Sequence, residues 1–387
     1  MIKFNFLASE ELLTAFDLKV VKPTQAQMKS YIITLPEENQ KKFEDFFGDD
    51  KIKELLTCQP EALPDYITEI YEKFPLLADR YWPAFLLKDI PIPKNVKNFS
   101  IKTKEDKRHL DIIFNETTAA ITAIATLETV FLTHLLNRLT SALNHKEKRQ
   151  ILATIKTIQE GRNRANNSFL DIFPPWINAF ESIFNYSALS ANIGHDIIDE
   201  WKIDVCLYCN NEPIQTLGKR KKIRTDLDHF YPQTKFPFLA VTLSNLIPSG
   251  KVCNQSYKKS NDMLSYAHPF ILGVDRPRVF HLAYNIGEPI EEDNFEVKII
   301  KQNNKIDINL DGFEIEHNYN NSNELKSWVA NAFTTVETIV GLNEPSIVAN
   351  LLNGLLNIRK PAHNERYKKF KTDSINQLAN KELISFL

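Results

Sequence analysis

Residues 1–195 combine apolar side chains at intervals of three and four positions with prolines that repeatedly interrupt this pattern. Such intervals place the apolar side chains on one face of an α-helix, and that face has to be buried against another element. Proline lacks the amide hydrogen that a helix interior requires, so each proline ends or kinks a helical segment. The predicted segments are Glu37–Cys58, Leu63–Lys73, Lys107–Leu143 and Lys146–Leu170, with breaks at Pro75, Pro83, Pro91, Pro93, Pro174 and Pro175. Packed helices are therefore the expected scaffold of the first half.

The length of 387 residues predicts two or three domains, because one domain usually spans roughly 100–200 residues. Hydrophobic residues make up 43% of the chain and glycines number only 10, which excludes a disordered chain and a fibrous repeat. Nothing in the first half resembles a phosphate-binding loop or a dinucleotide fingerprint. For the helical half we therefore predict a partner-binding or regulatory role.

The first sixteen residues, MIKFNFLASEELLTAF, have no long apolar core and no small-residue cleavage site, so we expect no secretory signal. The most apolar stretch, Ala119–Leu139, contains Glu128, His134 and Arg138, which would be costly inside a bilayer. A buried or amphipathic helix is the better interpretation. With four cysteines and no signal, metal binding or packing is favoured over disulfides, and we expect a cytoplasmic protein without a membrane partner.

Between Cys206 and Ser260 the sequence brings together residue types that suit metal-assisted hydrolysis. Asp228 and His229 are adjacent, Asn245 follows His229 by sixteen residues, and Asn254 follows nine residues later at the start of a short basic helix. Hydrolysis of a phosphodiester needs an activated water and a Lewis acid. Histidine accepts protons near neutral pH, and carboxylate and amide oxygens favour Mg²⁺ or Mn²⁺. Consecutive side chains on a strand face opposite sides, so the strand must twist or open for Asp228 and His229 to serve one site.

The order DHFYP, then NLIP, then CNQSYKK resembles the signature of HNH (ββα-metal) endonucleases. The resemblance implies that His229 is the general base, that Asp228 and Asn254 bind the catalytic metal, and that Asn245 braces the loop that orients His229. The motif is also similar to HNH nucleases of bacterial antiphage systems, notably those of Septu-type and retron-associated operons. These are commonly paired with an ABC-type ATPase, which is therefore an expected partner.

The expected fold class is α+β, with three regions. Residues 1–195 form the helical region, residues 196–275 the HNH nuclease domain, and residues 276–387 a small α+β region that packs on or extends the nuclease. In the last region the alternating runs Glu296–Ile300 and Lys305–Leu310 predict strands, and the polar stretch Asn318–Asn323 predicts a loop. A helix is expected from Glu324.

Cys206, Cys209 and Cys253 match three positions of the two Cys-x-x-Cys pairs that bind structural zinc in many HNH domains. The fourth position is Gly250, so a site of four thiolates cannot form from this segment. Structural Zn²⁺ is almost always four-coordinate, which requires a ligand from elsewhere, with His268 the nearest candidate. The alternative is that the three cysteines pack as small hydrophobic residues.

Positive charge is concentrated in residues 201–260, where ten basic and four acidic side chains give +6 in a chain of −2. This distribution favours contact with phosphates. The expected nucleic-acid-binding residues are Lys219, Arg220, Lys221, Lys222, Arg224, Lys258 and Lys259. Lys258 lies one helical turn after Asn254 and is expected to face the scissile phosphate, unless Lys259 does so instead. The run at 218–224 is alternatively a solvated hairpin tip.

Two functions are consistent with these features. The first is a metal-dependent endonuclease that acts on DNA rather than RNA and leaves a 5′-phosphate and a 3′-hydroxyl, as the resemblance implies. The second is an inactive nucleic-acid-binding or assembly subunit on an HNH scaffold. The complete set Asp228, His229 and Asn254 favours the enzyme, whereas Gly250 in place of a zinc ligand favours the scaffold.

Overall fold

The computed structural model describes residues 1–125, 129–161, 173–214, 224–274 and 278–385. As expected, the described part of the first half is mainly helical. Its α-helices are α1 Glu10–Phe16, α2 Lys22–Ile32, α3 Glu37–Phe47, α4 Asp49–Thr57, α5 Leu63–Lys73, α6 Pro75–Tyr81, α7 Pro83–Leu87, α8 Lys104–Ile124, α9 Phe131–Thr140, α10 His145–Gln159, α11 Phe180–Ile183, α12 Tyr186–Asn192 and α13 Gly194–Trp201. Pro75 and Pro83 each stand in the first turn of a new helix, where the missing amide hydrogen costs nothing.

Two of the predicted segments are divided differently from the expectation. The segment Glu37–Cys58 forms two helices separated by Gly48, where a Cβ atom would lie 2.8 Å from the carbonyl oxygen of Glu44. The segment Lys107–Leu143 is not one helix, because α8 ends at Ile124 and α9 begins at Phe131. The buried carboxylate of Asp79 accepts the amide hydrogens of residues 130, 131 and 132 at 2.7–3.0 Å, and so fixes the start of α9.

The strands form two small antiparallel sheets. Strand β1, Asp226–His229, pairs with β2, Leu246–Ser249, and the helical turn Val252–Lys258 follows β2 almost at once. Strand β3, Phe280–Tyr284, pairs with β4, Phe295–Ile299, which confirms the strand predicted at 296–300. With helices before and after these sheets, the chain belongs to the α+β class.

The end of the chain contains more helix than its sequence predicted. The helices are α14 Lys305–Gly312, α15 Ile315–Asn320, α16 Asn323–Val340, α17 Pro345–Leu355 and α18 Lys368–Leu378. The strand predicted at 305–310 is wrong, because the side chain of Asn304 caps α14 and the buried apolar residues, Ile306 and Leu310, are four positions apart. The loop predicted at 318–323 is wrong for most of its length, since only residues 321 and 322 separate α15 from α16.

One hydrophobic core joins the helical half to the segment that contains β1 and β2. The ring of Tyr71 on α5 lies 6.0 Å from that of Phe236 and 5.4 Å from that of Phe238, and its hydroxyl donates to the carbonyl oxygen of Lys235. The ring of Trp82 lies 5.1 Å from that of Phe236. The predicted boundary at residue 195 falls inside α13.

A smaller apolar cluster holds α16, α17 and α18 together. Within the described ranges, no helix has both the length and the apolar character that crossing a membrane would require.

Candidate active site

The end of β1 brings Asp228 and His229 to the same cleft, which has a volume of about 580 Å³. They pair across the sheet with Ile247 and Leu246 of β2. Asn254, on the helical turn after β2, lines the same cleft. The three residues that the sequence selected for base and metal binding are therefore brought together by a hairpin and the helical turn that follows it.

The imidazole of His229 is held in one orientation and in one protonation state. Its Nε2 lies 2.8 Å from the carbonyl oxygen of Ala240, and because a carbonyl only accepts hydrogen bonds, Nε2 carries the proton. Nδ1 is left with its lone pair and has no hydrogen-bond partner among the described residues. Burial lowers the pKa of His229 to about 4, so the ring is neutral at pH 7. The edge-on ring of Tyr186, with centroids 4.3 Å apart, fixes the plane of the imidazole.

Asn245 connects the two ends of the loop that holds Ala240. Its Oδ1 accepts the amide hydrogen of Tyr231 at 2.8 Å, and its Nδ2 donates to the carbonyl oxygens of Tyr231 and Leu239 at 3.0 Å each. The side chain is fully buried, so these bonds are shielded from water. Asn245 thus braces the loop next to Ala240, whose carbonyl oxygen accepts the hydrogen bond from His229.

The carboxylate of Asp228 is buried and already has two partners. The hydroxyl of Tyr208 donates to Oδ2 at 2.7 Å, and Nζ of Lys258 donates to Oδ1 at 3.1 Å. Burial raises the pKa of Asp228, and the charge of Lys258 opposes that shift. A carboxylate offers about four acceptor positions, so Asp228 can still ligate a cation.

Lys258 is placed differently from the expectation. The side chain is buried, and its ammonium group faces Asp228 rather than a solvent-accessible surface where a phosphate would bind. Burial lowers the pKa of Lys258, and the carboxylate of Asp228 opposes that shift. Lys259 is exposed and adopts a positive φ of 52°. Of the two lysines, Lys259 is the one available to a polyanion.

Asn254 lies on a wide helical turn in which the amide of Lys259 donates to the carbonyl oxygen of Asn254, five residues earlier. Such π-type turns are frequent at functional sites. Within the described ranges, the side-chain amide of Asn254 has no hydrogen-bond partner. Its oxygen is therefore free to act as a ligand in the cleft that Asp228 also lines. Two oxygen ligands fit Mg²⁺, which keeps several of its waters when a protein binds it.

Comparison with protein-family models, with curated proteins and with solved structures gives no match.

Of the expected phosphate-binding residues in the basic run, Lys219, Arg220, Lys221 and Lys222 lie outside the described residues. Arg224 is described and lines the cleft. Its guanidinium donates to Ser190 Oγ at 2.5 Å and to the carbonyl oxygen of Thr225 at 2.8 Å. It also lies directly against Gly194, where a Cβ atom would be 2.8 Å from the guanidinium. A fixed positive charge thus borders the candidate catalytic residues.

The sequence did not reveal several residues of the site. Tyr208 contacts Asp228, Tyr186 contacts His229, and Ser190 contacts Arg224. Tyr186 and Ser190 lie before the segment from Cys206 to Ser260, and Tyr208 lies inside it but was not among the predicted site residues. The sequence around a tyrosine or a serine in a helix or a loop contains no pattern that predicts a contact with a distant residue. Tyr208 stands between two of the cysteines, and that position was the nearest available signal.

Cys206, Cys209 and Cys253 form a second group, with all three sulfurs within 4.8 Å of one another and all three residues buried. His268, the expected fourth ligand, does not belong to this group. Its ring packs against Phe230 with centroids 4.3 Å apart, and its Nδ1 accepts the amide hydrogen of Phe270. The expectation for His268 is therefore not met.

Proposed function

We propose that this chain is a metal-dependent endonuclease of the HNH type that hydrolyses phosphodiester bonds in nucleic acid, with DNA as the favoured substrate. The observation that carries the proposal is the convergence of Asp228, His229 and Asn254 on one cleft. Each has the state that the chemistry needs: a carboxylate with spare lone pairs, a neutral imidazole and an unpaired amide oxygen. The preference for DNA rests on the resemblance of the motif.

In this proposal, His229 accepts through Nδ1 the proton of the attacking water, while the Ala240 carbonyl keeps Nε2 protonated. Asp228 and Asn254 would hold Mg²⁺ or Mn²⁺, which supplies charge stabilisation for the phosphate and the leaving oxygen. Arg224 is positioned to attract a phosphate of the backbone. Asn245 is a positioning residue, because it acts only through the loop that holds Ala240.

The likeness of the motif to nucleases of antiphage systems extends the proposal to the biological setting. The chain would be the effector nuclease of such a system in the bacterial cytoplasm, with an ABC-type ATPase as its partner. Co-purification with an ATPase would support this setting. Reproducible isolation as a free and constitutively active enzyme would contradict it.

A second candidate is an inactive nucleic-acid-binding or assembly subunit, and one observation favours it. The ammonium group of Lys258 lies 3.1 Å from Asp228 and already compensates the carboxylate that a metal would use. A scaffold that had lost its metal would keep such a pair for stability. This candidate predicts that nucleic acid binds equally well with and without Mg²⁺ and is not cut.

The deciding experiment is cleavage of supercoiled plasmid and of linear single-stranded DNA with Mg²⁺ or Mn²⁺. Loss of the base is expected to lower the rate of His229→Ala by about 10²–10⁴-fold, and EDTA is expected to abolish cutting. His195→Ala is the matched control, because His195 also neighbours an aspartate but does not line the cleft. Equal cutting by wild type and His229→Ala would show that another site or a contaminant is responsible. Absence of cutting with the partner ATPase present would favour the inactive scaffold.

A further inference from the structure

The three buried cysteines connect two elements on which the cleft depends. Cys206 and Cys209 lie in the turn that follows α13 and also contains Tyr208, and Cys253 lies on the helical turn with Asn254 and Lys258. None of the three forms a disulfide. Three sulfurs within 4.8 Å of one another supply three corners of a tetrahedral zinc site and leave the fourth open.

One of the three sulfurs accepts a hydrogen bond from a backbone amide. The amide of Glu212 donates to Cys209 Sγ at 3.4 Å. Zinc binds cysteine as the thiolate, and a buried thiolate is costly without a compensating cation, which the metal ion would supply.

The carboxylate of Glu212 lies at position 250, where the fourth ligand of two Cys-x-x-Cys pairs would stand. A Cβ atom at Gly250 would lie 2.0 Å from Glu212 Oε2, so the carboxylate occupies the space into which a side chain at 250 would project. The carboxylate is anchored there, because Oε1 accepts from the amide of Lys251 at 2.9 Å and Oε2 from that of Val252 at 3.2 Å. Glu212 follows Cys209 at the same interval at which Cys209 follows Cys206.

We propose that Cys206, Cys209, Cys253 and the carboxylate of Glu212 together form a structural zinc site with three sulfur ligands and one oxygen ligand. Carboxylate oxygen is an accepted zinc ligand in proteins. Glu212 is not within 4.8 Å of all three sulfurs, so its carboxylate would have to leave the amides of Lys251 and Val252 and move inward to bind the metal. The bound ion would fasten the turn at 206–212 to the start of the helical turn at 252–258. This inference does not rest on the proposed nuclease activity.

The test is the zinc content and zinc affinity of the full chain, purified without chelators, measured by elemental analysis and by competition with a chromophoric chelator. The wild type is expected to hold about one zinc ion per chain, and Cys253→Ser to lose it. Glu212→Gln is expected to weaken zinc binding at least about tenfold, since even partners outside the ligand set change affinity by that factor. Glu337→Gln, an exposed glutamate on α16, is the matched control.

A double variant separates loss of a ligand from loss of the fold. Glu212→Ala combined with Gly250→Cys removes the carboxylate that blocks position 250 and offers a fourth thiolate. It is expected to bind zinc again, and its Co²⁺ form is expected to show stronger sulfur-to-metal charge-transfer absorption than the wild type. If the wild-type chain bound no zinc even when zinc was added, the proposal would be wrong and the cysteines would serve only to pack the core. Unchanged affinity in Glu212→Gln would assign the fourth ligand to another group, such as the buried amino group of Met1 near the same sulfurs.

Discussion

At the scale of single residues, the environment of His229 decides whether it can act as a base. Burial lowers the pKa of His229 and leaves the ring neutral, although the hydrogen bond to Ala240 opposes that shift. The same hydrogen bond takes up Nε2 and so leaves Nδ1 as the acceptor. An exposed histidine, with a pKa of about 6.5, would instead be partly protonated near neutrality and so partly inactive. The depression of the pKa therefore widens the pH range in which the proposed base works.

The first prediction concerns pH. The rate of DNA cleavage at saturating metal is expected to stay level from pH 8 down to about 5, and to fall only as His229 is protonated near its pKa of about 4. The measurement is kcat/KM for plasmid cleavage across this range. An inflection near 6.5 would contradict it. The free energy of unfolding is also expected to fall at acid pH, because His229 takes up a proton more readily in the unfolded chain than in the folded one. The contribution of a neutral His229 to stability is complete above about pH 6.5 and is lost as the pH falls towards 4.

The residues that carry the chemistry could be selected from the sequence, because Asp228, His229, Asn245 and Asn254 lie in one short segment with a recognisable order. The sequence did not predict in which direction a long side chain points. Lys258 was expected to face a phosphate, but it is buried against Asp228. Spacing along a helix limits where a lysine can reach, and the neighbouring elements decide which partner it takes.

At the scale of elements, the ion pair between Asp228 on β1 and Lys258 on the helical turn at 252–258 ties the hairpin to the turn that follows it. Both side chains are nearly inaccessible to water, at 5% and 1% exposure. Removing one partner of such a buried pair leaves the other charge uncompensated, which costs much more than removing an exposed pair.

The second prediction follows from this ion pair. In EDTA, Lys258→Met is expected to lower the free energy of unfolding by about 3–5 kcal/mol, because Asp228 is left buried and charged. Urea unfolding followed by circular dichroism measures the loss. Mg²⁺ is expected to restore part of it in the variant, since a divalent ion can take the place of the ammonium group. Lys259→Met, one residue further on and exposed, is the control, and an equal loss in both variants would contradict the argument.

The bounds of a helix could be predicted from the sequence where nearby residues determine them. They could not be predicted where a residue far away in the sequence determines them. Helix α5 has the predicted bounds, Leu63–Lys73, because its apolar spacing and the prolines near its ends are local. The break between α8 and α9 depends on Asp79, about fifty residues earlier, whose carboxylate binds three amides at the start of α9. No window of sequence contains both partners of that contact.

At the scale of the whole molecule, the helical half and the candidate nuclease segment share one core. Tyr71 and Trp82 from the first half cover Phe236 and Phe238 on the loop between β1 and β2. That loop also contains Ala240, the hydrogen-bond partner of His229. The packing of the helical half therefore bears on the geometry of the cleft, although the two regions differ in composition and were predicted as separate domains.

The third prediction is that the two regions unfold together. Far-ultraviolet and near-ultraviolet circular dichroism are expected to give coincident transitions, because a shared core cannot be lost in one region alone. Tyr71→Ala is expected to lower the free energy of unfolding by about 3–5 kcal/mol, as for other large aromatic residues in a core. Tyr66→Ala, on the same helix but partly exposed, is expected to cost less. Two separate transitions would show that the helical half is an independent domain.

The shared core also determines what proteolysis can release. If a protease cut between the helical half and residue 226 and the two fragments then separated, Phe236 and Phe238 would lose the side chains that cover them. An uncovered aromatic patch of this kind promotes aggregation. Limited digestion is therefore expected to end in precipitate or in complete degradation, and trimming the chain would not be a route by which a cell could set free an active nuclease.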